Sequence, residues 1–184
     1  MSDEFEDMAA DCAAEARTYL ASVSVVASGA EPDTAIPVLL LAVSQVLAMG
    51  ARLGALTDVV PDDRFEVDTG PDTDVDPVHS ALAELLDGLD EYADLVDPVT
   101  SVEVTKGTIS GDIAVVAAAL THGLGHYDAG RVSEAMWWWQ FSYLSTWGER
   151  AASAVRVLQT VLGHLRLDAD DELVLEAQFD ALHP

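Results

Sequence analysis

Apolar residues recur at three- and four-residue steps along most of the chain. Phe5, Met8, Cys12, Ala16, Tyr19 and Val23 follow that spacing with Glu6, Asp7, Asp11, Glu15 and Arg17 on other faces, which predicts an amphipathic helix over 3–27. Gly29 and Pro32 stop it, and Thr34 is placed to cap a second helix in which Pro37 is the third residue, where no N–H is needed. Leu39, Val43, Val46, Gly50 and Leu53 form the inner stripe of that helix, which runs to about Leu56.

From Asp58 to Pro77 the pattern breaks into Asp, Pro, Thr and Gly, an acidic loop that is long for a compact domain. Val78, Leu82, Leu85, Leu86, Leu89 and Tyr92 restore helical spacing and predict a third helix over 77–95. Within the connection 97–109, Ser101–Thr105 alternates like a short strand, for which Phe65–Val67 is the expected partner. Ser110 is the expected cap of a fourth helix carrying Ile113, Val116, Ala117, Leu120, Leu124 and Tyr127, and Asp128-Ala-Gly130 turns it into a fifth. The fifth helix runs from Val132 through Trp137, Phe141 and Leu144, kinks at Gly148 and ends near Leu162; a short last helix opens at Asp168–Asp171.

The offsets of Gly123, Gly130 and Ala135 match the small positions of a TPR hairpin, but no second copy exists and a solenoid needs about three. The expected fold class is therefore all-α: one domain over 1–184, a bundle of five or six helices with the acidic loop 58–77 and a minor β-hairpin.

Composition narrows the function classes. The chain is half apolar, so a full core is available, yet it carries 33 acidic against 8 basic residues and a formal charge of −25. So negative a body repels phosphate backbones and anionic headgroups, which sets aside nucleic acid and membrane surfaces as partners. The excess fits either salt adaptation or a basic protein partner, and the charge pattern alone separates neither. The longest apolar run, Val38–Val43, is short of a membrane span, a single cysteine excludes a disulfide framework, and no signal-like N-terminus is present, so a cytoplasmic location is expected.

Candidate chemistry is sparse. Asp72, Asp74 and Asp76 alternate like the opening of a calcium loop, but Pro77 and Ala83 stand where the glycine and the bidentate glutamate are required. His122 and His126 share a helix face four residues apart, spacing suited to a transition metal with Asp112 or Asp128 as a third ligand; hydrogen-bonded packing of both rings is the commoner outcome. Trp137, Trp138 and Trp139 are roughly 100° apart around a helix and cannot share one core. Trp139, Tyr143 and Trp147 make one aromatic ridge, while Trp137, Phe141 and Leu144 make another, and Trp138 belongs to neither. Phe141 is expected inside, and the surplus face is expected to line a ligand pocket or a dimer interface. No nucleophile elbow, phosphate loop or cysteine–base pair is present, so no catalytic residue, metal or cofactor is expected.

Through Leu39–Gly54, His122–Arg131 and Trp137–Gly148 the chain resembles a family of uncharacterised, all-helical bacterial proteins catalogued as a domain of unknown function. The resemblance spans about 35–167 and implies an all-helical cytoplasmic protein; it implies no activity. The functional expectation is a non-catalytic binding or protein-interaction module that self-associates as a homodimer. The alternative is a small-molecule or metal-binding protein, or an enzyme, with its site between the fourth and fifth helices. The candidate ligand or interface residues are His122, His126, Trp138, Trp139, Tyr143 and Trp147.

Overall fold

The computed structural model describes residues 3–62 and 73–182, with side chains over 4–62 and 73–167. Much of the acidic loop, including Asp72 and the expected strand Phe65–Val67, lies outside the described residues.

Helix α1 spans Asp3–Ala27 and ends at Gly29, whose φ of 68° supplies the left-handed turn that side-chain-bearing residues resist. A 3₁₀ turn, Pro32–Thr34, leads into α2, Ala35–Gly54; Thr34 holds the expected position before it but makes no capping bond, its hydroxyl donating instead to the Glu31 carbonyl at 3.0 Å. α1 buries a stripe of small residues, Ala9, Cys12, Ala13 and Ala16, which lets α2 approach closely with Leu39, Val43, Val46, Met49 and Leu53. Pro32–Gly54 is apolar and long enough to cross a bilayer, but here that stripe is packed into the bundle against α1 and α6.

Helix α3 covers Asp76–Leu85 and stops there, ten residues earlier than the apolar spacing predicts, because Asp87-Gly88 turns the chain with Gly88 at φ 78°. The chain then enters strand β1, Glu91–Leu95, paired antiparallel with β2, Val104–Thr108, in the register Glu91↔Thr108 to Leu95↔Val104. A hairpin exists, but both strands differ from the expected pair, Ser101–Thr105 with Phe65–Val67. Tyr92 fitted the helical pattern because it too faces the body of the protein, from a strand.

Helix α4, Ile109–Asp128, is the central element, packed on α1, α3, α5 and α6. Its cap is Thr108, whose Oγ1 accepts from the Gly111 N–H at 3.2 Å. Ser110, the expected cap, instead gives its N–H and hydroxyl to the Asp90 carboxylate at 2.8 and 2.7 Å. Gly130, at φ 77°, turns the chain into α5, Val132–Ser142. A π turn, Tyr143–Trp147, then joins α5 to α6, Gly148–Leu182. The irregularity falls one step before the expected kink at Gly148, and α6 continues through 168–171, where a separate last helix was expected.

The two aromatic ridges divide opposite to the assignment of Phe141 to the core. Trp139 and Trp147 are fully buried, whereas Phe141 is 50% and Leu144 62% exposed. Glycines explain the choice. A Cβ on Gly123 would lie 2.0 Å from the Trp139 indole nitrogen, and one on Gly50 would lie 2.3 Å from the Tyr143 ring and 2.5 Å from Trp147. Flat rings lie on bare backbone there, α5 on α4 through Trp139 and the π turn on α2 through Tyr143 and Trp147.

Candidate functional site

The seam between α4 and the α5–π segment opens into a cleft of about 580 Å³, in the range of binding pockets. One wall is the α4 face Val115, Ala118, Ala119 and His122; the other is Trp138, Phe141, Ser142, Ser145 and Thr146. Alanines on α4 leave the space that larger side chains would fill. Trp138 packs on His122 with ring centroids 4.1 Å apart and donates its indole N–H to the Ala119 carbonyl at 3.0 Å. Outside the cleft, Trp137 stacks on Phe141 at 5.5 Å with an interplanar angle of 11°.

The polar atoms of this cleft are largely engaged by the helices that carry them. Ser142 donates to the Trp138 carbonyl at 2.6 Å and Ser145 to that of Phe141 at 2.8 Å. Serines held by carbonyls one turn back are not activated nucleophiles. Among the described residues none that lines the cleft is Asp, Glu, Lys or Arg.

Of the sequence candidates, His122 and Trp138 line the cleft. His126 is fully buried, its ring 5.2 Å from that of His122 in an edge-to-face arrangement. Trp139 and Trp147 belong to the core, and Tyr143 is half-buried against Gly50. Among the described residues no group of three or more His, Cys, Asp and Glu side chains could hold a metal ion. Asp112 lies in the first turn of α4, ten positions from His122, and Asp128 pairs with Arg17.

Pattern reading missed a polar cluster that adjoins the cleft at Val115. Tyr92 donates its hydroxyl to Asp112, and Arg150 lies 3.5 Å from the other carboxylate oxygen. Nearby, Asp94 accepts from Ser153 at 2.7 Å and from Arg156 at 3.0 Å. With the Asp90–Ser110 contacts, these carboxylates tie the hairpin to α4 and α6. Their sequence signal was slight, because partners 20 to 62 positions apart share no local spacing.

Burial pushes the Asp112 carboxyl up to about 6, opposed by the Tyr92 hydrogen bond and by Arg150; Asp94 adds a smaller upward push. The folded value thus exceeds the unfolded one of 3.8. Between those values the native state keeps a proton that the unfolded chain has released, so this group's contribution to stability falls as pH rises from about 4 to about 6. Asp112→Asn keeps an acceptor for Tyr92 without the buried charge. Its stability relative to the natural chain is expected to climb across that interval to a plateau about 1–3 kcal/mol higher above pH 6. Urea unfolding at stepped pH measures the difference, and a difference independent of pH would rule out this assignment.

A family model described as a domain of unknown function, DUF5063, matches residues 3–164. Among solved structures the chain is similar to protein BF1032 from Bacteroides fragilis, a structural genomics target, with a TM-score of 0.65 and 16% identity over 82% of this chain and 89% of that one. At that identity the likeness is one of fold. No curated protein matches.

Proposed function

The chain belongs to the DUF5063 family, a membership that supplies a fold without a chemistry, and from that premise we propose a non-catalytic interaction module of the cytoplasm whose working surface is the α4–α5 cleft. The observation that carries this reading is the cleft itself. In a chain of charge −25 its lining has no Asp, Glu, Lys or Arg among the described residues, and its serines donate to their own helices. Such a surface favours apolar contact and offers no activated group for bond-making. The cytoplasmic assignment is supported by cysteine usage, since the single cysteine, Cys12, is free and offers no disulfide framework.

Titration with indole, a neutral aromatic probe, is expected to shift amide resonances of Val115, Ala118, His122 and Trp138 selectively. Shifts scattered over the molecule, or none at millimolar indole, would dispose of the cleft as a binding surface.

Self-association is the second reading, favoured by exposed Phe141 and Leu144, with half-buried Trp137 stacked on Phe141. An isologous contact needs one such patch, and salt should promote it by screening the net charge. Sedimentation is expected to show a dimer at high salt that Phe141→Asp disperses; a monomer at every salt concentration would eliminate it.

A further inference from the structure

We infer that the occupant of the cleft is a basic amphipathic helix of another protein, its apolar side chains seated between α4 and α5 and its Lys or Arg residues facing the acidic surroundings. This rests on the cleft being a binding surface and adds the class of partner. Length is the first argument. From Val115 to His122 the α4 wall covers seven residue steps, about 10 Å at 1.5 Å per residue, and a helix with anchors at i, i+4 and i+7 places them over the same distance. The cleft's volume of about 580 Å³ accommodates side chains rather than a whole helix, leaving the partner's outer face in water.

Charge is the second argument. Arg17, Arg52, Lys106, Arg150 and Arg156, five of the eight basic residues, each have a carboxylate within 4 Å, so little positive charge offsets the acidic excess. Thr73 lines the cleft, and exposed Asp74 and Asp76 stand one and three positions after it. An uncharged floor beside carboxylates matches apolar anchors flanked by cations. A second copy of this chain would bring another net charge of −25 to that rim, and a nucleic acid or anionic bilayer would be repelled.

The test uses the full chain and synthetic peptides of about 18 residues, long enough to hold a helix on a surface. One carries Leu at i, i+4 and i+7 with Lys on its polar face; a second replaces Lys by Glu; a third keeps Lys and replaces Leu by Ser. The Leu/Lys peptide is expected to bind at least about tenfold more tightly than either control and to weaken as salt rises. It should shift the same amides as indole. Ser145 is exposed, so Ser145→Arg and Ser145→Glu test charge at the rim without disturbing the core. The first should weaken binding several-fold and the second strengthen it; Ala118→Trp, which fills the cleft, should abolish it.

Equal binding of the Leu/Lys and Leu/Glu peptides, or of the Lys/Ser control, overturns the basic partner. So does binding indifferent to both Ser145 variants and Ala118→Trp, or a dimer that buries the cleft and that Ala118→Trp dissociates. If indole occupies the cleft and no peptide does, the partner class fails while the binding surface stands. If neither does, both fail.

Discussion

Trp139→Ala is expected to destabilise the protein by about 3–5 kcal/mol, the cost of removing a large buried aromatic when its surroundings cannot collapse. Trp139 has no solvent exposure, donates its indole N–H to the Leu120 carbonyl at 3.3 Å and lies against the bare backbone of Gly123. Helical backbones on both sides hold the space open. Phe141→Ala, two positions along, should cost less than about 1.5 kcal/mol because half of that side chain is already in water. Chemical denaturation of both variants checks the contrast. Equal losses would mean that the inward face of α5 has been assigned wrongly.

Gly123→Val should have an effect of similar size from the opposite cause. A Cβ at position 123 falls 2.0 Å from the indole nitrogen and 2.5 Å from carbon atoms of the same ring. The ring is too large and too enclosed to move aside. Even Gly123→Ala must separate α4 from α5 and lose the Leu120 hydrogen bond, which outweighs the roughly 1 kcal/mol that alanine contributes to a helix over glycine. The valine variant is expected to lose at least about 3 kcal/mol, beyond the usual overpacking range because two branched methyls meet a rigid ring. Trp139→Leu in the same chain should recover part of the loss by making room. A double-mutant cycle reads that coupling, and additive losses would dissociate Gly123 from the packing of Trp139.

The bundle was legible in the sequence because its helices obey one rule, apolar residues at helical steps, and α1, α2 and α4 lie close to where that rule places them. It failed at α3. Leu89 and Tyr92 extend the apolar spacing past Asp87-Gly88, where Gly88 turns the chain out of the helix and into a strand. The π turn was invisible to a rule that assumes a fixed rotation per residue. His122 and Trp138 could be nominated for the site because each stood out locally, as half of a spaced pair and as the middle of a tryptophan run. Ala118 and Ala119 could not. Their contribution is the space they leave, and an alanine in a helix bears no mark of facing a cleft.

The π turn also sets the angular phase of everything after it. Relative to an unbroken α-helix, a π turn accommodates one additional residue, and each helical residue accounts for about 100° of rotation. Upstream, Trp139 faces α4; downstream, Arg150, Ser153 and Arg156 face the carboxylates of α4 and the hairpin. Those two orientations are compatible only with Tyr143–Trp147 wound as it is. Deleting exposed Ser145 would remove that additional residue and let the segment close to ordinary α pitch with α6 kept in its present orientation, whereas adding a residue wound as α would swing α6 by about a quarter turn. The integrity of the hairpin ties thus depends on the number of residues in this segment more than on their identity, so a single insertion here should be far more damaging than the loss of Ser145 or a substitution at the same place.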